Sequence, residues 1–294
     1  MLARLRTLPA FWIAGALLAG VVLLGLFGPA LAPYDPLAGS AETLAAPSWA
    51  HPFGTDYLGR DVLSRILAGA PVSVFGAIEV AGIALVVGAV PGLLSIYLGR
   101  VFEWFALRLI DTLIALPFLV FAVAMTALLG NGVSQAMLSV GILVSPVFFR
   151  VSRAAALSVV RAQYVEAAQL VGASAGWVLV RHIAPKVIAP LGVAAAQAAG
   201  TGLVVVASLT FLGIGVQPPA PTWGGILASD LGYLSYQPYA PVFPIAFIVI
   251  IVLSLNLLAD VLRDASGQSG RVLAGRRRAR RGTIARPRVA AQEG

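Results

Sequence analysis

The chain alternates between long apolar runs and short polar joints. Runs nearly free of charge fall at residues 10–32, 71–98, 105–129, 134–151, 187–214 and 241–262. A helix needs about 20 predominantly apolar residues to cross a bilayer, and each run is close to that length. None shows the period-two alternation of a transmembrane β-strand. The pattern predicts an all-α integral membrane protein with six transmembrane helices. Pro91, Pro117 and Pro146 fall inside these spans. Packed neighbours can satisfy the backbone groups that proline frees in lipid. A kink at Pro91 or Pro117 is also a place for a hinge.

The first run follows Arg4 and Arg6 and ends in Ala-Leu-Ala, as a signal peptide would. It exceeds the roughly 7–15-residue apolar core of such peptides, so a retained helix is expected. Three regions follow from the pattern. Residues 1–70 hold an N-terminal segment, the first span and an outer segment. Residues 71–263 form a core of five spans, with a polar loop at 161–186. Residues 264–294 form a basic tail.

Composition narrows the function. Of 294 residues, 59% are hydrophobic and 11% charged, and mean hydropathy is +0.92. A soluble domain carries about 25% charged residues. There is no cysteine, so disulfide and thiolate chemistry are excluded. His51 and His182 lie far apart in sequence, and no metal site is expected. No nucleophile–base–acid set argues for a membrane enzyme. The only lysine is Lys186, and no G-x-x-x-x-G-K-[ST] phosphate loop is present. An ATPase site in this chain is therefore excluded.

Net charge is +8, unevenly placed. Eight of the 20 basic residues follow residue 270, five of them in GRRRARRG. After a last membrane span such a run is expected to face anionic lipid rather than nucleic acid. The remaining charge sets orientation. With the N-terminus in the cytoplasm, 18 basic residues fall inside and only Arg60 and Arg65 outside. The positive-inside rule therefore places both termini and the loop at 161–186 in the cytoplasm.

That loop contains YVEAAQLVGASAGWVLVRHIAPKV, from Tyr164 to Val187. Tyr164, Ala168 and Val171 share one face at helical spacing. Gly172 suits a helix end, and Ser174 can cap a second short helix carrying Trp177, Val178 and Val180. Pro185 ends the loop. Glu166 projects from the first helix, and Arg181 and His182 close the second. An amphipathic loop on the membrane surface and a docking knob for a cytoplasmic partner both fit these residues.

The spacing Glu166-Ala167-Ala168, then Gly172, then Ile183-Ala184-Pro185 resembles the EAA loop of membrane subunits of bacterial ABC importers. The longer spacer ending in Arg181-His182-Ile183 is similar to the dipeptide/oligopeptide/nickel branch. LAPYDPLAG (31–39), HPFGTDYLGRDVLSRILAGA (51–70), RLIDTLIALP (108–117), SLTFLGIGVQPPAPTWGGIL (208–227) and NLLADVLRDA (256–265) look like successive parts of its C-type permease. Ala184, Lys186 and Pro71 depart from the usual residues of that family, as does the tail from Ser266.

The resemblance implies a type I ABC importer permease with six transmembrane helices and a cytoplasmic two-helix coupling loop. It implies a heterodimer with a second permease in the bacterial inner membrane. Two cytoplasmic ATP-binding subunits would hold the ATP and magnesium, with no cofactor in this chain. An extracytoplasmic binding protein would deliver short peptides or, in the nickel branch, metal. Glu166, Ala167, Ala168, Gly172, Arg181, His182, Ile183 and Pro185 would form the ATPase contact.

Glu79 is the clearest charge within a span, and such residues are functional candidates. It is expected either to line the pathway or to sit near the outer interface, the second being favoured. Alone it gives thin support to a secondary transporter or channel. In the outer segment, Asp56 is expected to cap a helix and Asp61 to pair with Arg65. Asp111 and Asp260 are expected to pair with Arg108 and Arg263.

Overall fold

The computed structural model describes residues 9–130 and 132–266. The basic run at 276–281, expected to meet lipid, lies outside the described residues. Among those described, ten α-helices and no strand are present. They are α1 (Pro9–Phe27), α2 (Val62–Leu94), α3 (Gly99–Ala115), α4 (Phe118–Leu129), α5 (Val133–Val160), α6 (Gln163–Leu170), α7 (Ala175–Val178), α8 (Ala184–Phe211), α9 (Trp223–Leu231) and α10 (Val242–Ala265). A 3-10 turn, Gly28–Leu31, extends α1, and a π turn, Leu179–Ile183, joins α7 to α8.

Five helical runs are long and apolar enough to span a membrane, and α3 with α4 makes a sixth if the pair counts as one. That pair corrects the single straight span expected at 105–129, because it bends by 100°. The cause is Pro117. It has no N–H for the helical ladder and disfavours helical backbone at the residue before it. Leu116 is accordingly extended, at φ −73 and ψ 135.

α2 corrects a second expectation. It starts at Val62 rather than near residue 71, so the outer segment feeds directly into the span, and the division after residue 70 falls inside the helix. Its 33 residues make a rod of about 50 Å at 1.5 Å per residue. A bilayer core is about 30 Å thick, so α2 projects beyond it.

The core forms where α2, α5 and α8 meet, with α10 on α8 and α1 against α10 and α2. Small residues let these helices approach. A Cβ at Gly88 of α2 would collide with the Ser145 carbonyl of α5, and one at Gly92 with the Ser152 hydroxyl. Phe148 fills this core, Phe149 packs on Ala106 and Ile110 of α3, and both are fully buried. α3 and α4 pack chiefly on α5 and stand at the margin of the bundle.

Candidate functional site

The loop between α5 and α8 forms a knob. α6 carries Glu166 in its first turn, exposed and without a side-chain partner among the described residues. Gly172 follows at φ +95, left-handed backbone that costs an L side chain roughly 1–2 kcal/mol. Its N–H closes the helix end on the Gln169 carbonyl at 3.0 Å. The Ser174 hydroxyl then caps α7 by accepting from the Trp177 N–H at 3.3 Å. The bend and the cap match expectation.

The second short helix does not stand apart, which corrects the sequence reading. α7 continues through the π turn into α8, and Pro185 lies in the first turn of α8.

Tyr164, Ala168, Val171, Trp177 and His182 line one open groove of about 840 Å³. The His182 ring lies 5.7 Å from Tyr164 and 5.0 Å from Trp177. Val171 is 90% exposed and Leu170 84%. Apolar surface gathered beside charge on a polar loop marks an interaction site. Ala167, Gly172, Arg181 and Pro185 are also exposed, whereas Ile183 is buried. Ile183 belongs to a cluster with Val165, Val178, Val159 and Val187, with Leu93 and Ile96 at the end of α2 packed against it. The knob is thus seated on the ends of α2, α5 and α8.

At the opposite end of α2 is a buried polar network. Asp61, not Asp56, caps the helix, accepting from the Ser64 N–H at 2.7 Å and the Ser64 hydroxyl at 2.6 Å. Its other oxygen meets His51 Nδ1 at 2.9 Å. The expected Asp61–Arg65 pair is absent. Arg65 turns to Asp56 at 3.5 Å and donates to the Pro36 carbonyl at 3.1 Å. Asp56 instead organises the turn before α2. It accepts from the N–H groups of Leu58 and Arg60 and from the Arg60 guanidinium at 2.7 Å. Two residues distant in sequence tie to this end of α2. Trp223 of α9 donates from Nε1 to the Ile66 carbonyl at 2.8 Å, and Gln237 donates to the carbonyls of Ala45 and Thr55. Sequence reasoning missed α9. Thr222 before Trp-Gly-Gly was the available signal, since its hydroxyl accepts from the Gly225 N–H as an N-cap.

Asp230 of α9 lies beside this network, 6% exposed, with Oδ2 unpartnered. Burial pushes its carboxyl up to about 7; the charge of Asp56 adds to the rise and Arg65 opposes it. A raised folded-state value means that the protonated form fits the fold better. That stability is complete below the unfolded value near 4 and is lost as pH rises through about 7. Asp230→Asn is therefore expected to stabilise the chain by up to about 4 kcal/mol at pH 8, with little gain at pH 4. Thermal midpoints in detergent at the two pH values check this, and equal gains at both would refute it.

Glu79 lies 17 residues after Val62, at the middle of α2. It is half-buried and has no hydrogen bond or ion pair among the described residues. Phe75, Gly82 and Val86 continue its stripe along the helix, and all three are exposed. Asp260 pairs with Arg263 at 3.1 Å as expected, whereas Asp111 meets Arg150 of α5 rather than Arg108. Glu103 pairs with Arg153, a second tie between α3 and α5. No group of three or more metal-ligating side chains occurs among the described residues.

Comparison with known proteins agrees with the helical bundle. The chain is 36% identical over 252 residues to the di/tripeptide transport system permease protein DppC of Pseudomonas aeruginosa, covering 83% of each. It is 36% identical to the glutathione transport system permease protein GsiD of Shigella dysenteriae, over 83% of this chain and 82% of that one. It is 34% identical to the dipeptide transport system permease protein DppC of Alkalihalophilus pseudofirmus, over 85% and 82%. Among solved structures, the inward-facing methionine ABC transporter MetNI superposes with a TM-score of 0.58 at 19% identity, covering 70% of this chain and 96% of that one. That likeness speaks to the fold. The model of the binding-protein-dependent transport system inner membrane component family matches residues 83–271, and this chain belongs to that family as a permease subunit of an ABC importer.

Proposed function

We propose that the chain pairs with a second, related permease to form a translocation pathway for short peptides. ATP hydrolysis on two cytoplasmic subunits drives transport, and an extracytoplasmic binding protein delivers cargo. Both termini and the α5–α8 loop face the cytoplasm, as the distribution of basic residues favours. The loop is the ATPase contact, with Glu166, Ala167, Ala168, Gly172, Arg181 and His182 at the surface and Ile183 and Pro185 at its root. The observation that carries this reading is the seating of the knob. Its outer surface is exposed, while its base packs on the ends of α2, α5 and α8. A pull on the knob reaches three spans at once. Peptide cargo rests on the di/tripeptide, dipeptide and glutathione permeases that the chain resembles.

Glu79 lines the pathway in this reading. A carboxylate facing lipid at mid-span costs about 2.5–3.5 kcal/mol on insertion scales, so its stripe of exposed residues faces water or protein. There it would meet the ammonium of a passing peptide. The test uses the complete transporter in proteoliposomes. Uptake of di- and tripeptides is expected, with none of nickel ion. Glu79→Gln is expected to raise KM about ten-fold for peptides with a free amino terminus and to spare N-acetylated ones. Uptake of nickel without peptide would refute the cargo. Unchanged KM for cationic, neutral and anionic peptides would remove Glu79 from the pathway.

A further inference from the structure

The network before α2 leaves guanidinium donors unused. Each arginine side chain presents five N–H groups. The contacts described use Nε and Nη2 of Arg60 and Nε and Nη1 of Arg65. Nη1 of Arg60 and Nη2 of Arg65 are left over. Both side chains, only 5% and 6% exposed, line a recess of about 190 Å³. Thr210, Phe211, Ala228 and Ser229 form its other walls.

Charge in the recess is unbalanced. Two guanidiniums share one carboxylate, Asp56. Asp230 is the next acid, and below about pH 7 it holds a proton. The cluster then carries two positive charges against one negative. Buried charge without a counter-charge is costly, and a ligand anion would supply one. The leftover donors belong to two planar forks, a geometry that suits a carboxylate.

Size and surroundings narrow the ligand. Whole small-molecule sites usually span about 300–1,000 Å³, so this recess holds one end of a molecule. Phe211 also lines an apolar cavity of about 400 Å³ with Leu119, Leu227 and Ile248. A carboxylate entering beside Arg60 and Arg65 would have an apolar surface next to it.

We propose that this recess is a carboxylate site that receives the C-terminal end of a short peptide on its way to the pathway, through Arg60 and Arg65. The proposal rests on the peptide reading above and assigns one end of the cargo to one place on this chain. Glu79 and the recess would then divide the termini, with amine at mid-span and carboxylate at the end of α2 opposite the knob.

The test measures uptake of trialanine and of trialanine amide by the complete reconstituted transporter. Arg60→Lys shortens the fork, and Ala228→Phe fills the recess without touching a charged contact. In both variants the ratio of free-acid to amide uptake is expected to fall about ten-fold against wild type, through KM for the free acid. Because the binding protein is the same in each assay, its own preference cancels. An unchanged ratio in both assembled variants overturns the proposal. If Arg60→Lys fails to assemble, Ala228→Phe decides alone. Weaker docking of the binding protein with an unchanged acid-to-amide ratio also overturns it, since the carboxylate would then come from that protein. If wild type takes up neither peptide while hydrolysing ATP, the peptide reading itself fails and this proposal with it.

Discussion

Reversing the charge at Glu166 is expected to cut ATP-driven uptake at least ten-fold, roughly the effect of a like-charge clash at an interface, while the chain still folds into the membrane. The two halves of this outcome have separate causes. Glu166 is exposed, has no side-chain partner among the described residues, and occupies the first turn of α6. Lysine there loses a favourable helix-dipole interaction worth about 0.3–1 kcal/mol, too little to unfold a domain. In a socket on another subunit the same change sets a cation where an anion was fitted. Hydrolysis by the ATPases is expected to continue, so transport per ATP falls further than ATP turnover. Gly172→Pro probes the same knob by another route. Proline cannot adopt φ +95, and it removes the N–H that closes on Gln169. Wild-type uptake and ATPase association in both variants would refute the docking role of the loop.

Much of this knob was legible because its determinants are local. The Gly172 bend and the Ser174 cap lie within a few residues of what they organise, and apolar spacing places Tyr164, Ala168 and Val171 on one face. The membrane spans were legible for a related reason, since each is continuous in sequence. What escaped depends on partners far along the chain. Asp61 and Arg65 looked like an i,i+4 pair, yet His51 and Asp56 compete for them and win. Each is held from a turn whose shape only the fold sets. α2 was begun too late because buried charges in its first turns resemble a water-facing segment. Those charges are satisfied by the preceding loop, and Trp223, 157 positions beyond Ile66, donates to the Ile66 carbonyl next to them.

The largest loss of stability is expected from Asp56→Ala, about 3–5 kcal/mol. Asp56 is 7% exposed and holds two N–H groups and two guanidiniums that are themselves nearly inaccessible. Its removal takes from the Arg60 and Arg65 guanidiniums the carboxylate they share, while Asp230 beside them is largely protonated below pH 7. Whole domains are stable by only about 5–15 kcal/mol, so a lower thermal midpoint and a poor yield of assembled protein are expected. The comparison that isolates the cause is Asp61→Ala. It deletes a carboxylate equally buried, but one that holds no guanidinium, serving as an N-cap whose loss costs about 1–2 kcal/mol and as the partner of His51. If charge pairing rather than capping holds the turn, Asp56→Ala is the more damaging of the two, and added salt does not close the gap, because buried pairs are poorly screened. Equal effects of the two variants would mean that water reaches the guanidiniums freely. The network would then be a set of surface contacts, and the recess beside Arg60 and Arg65 would have no unbalanced charge to offer a ligand.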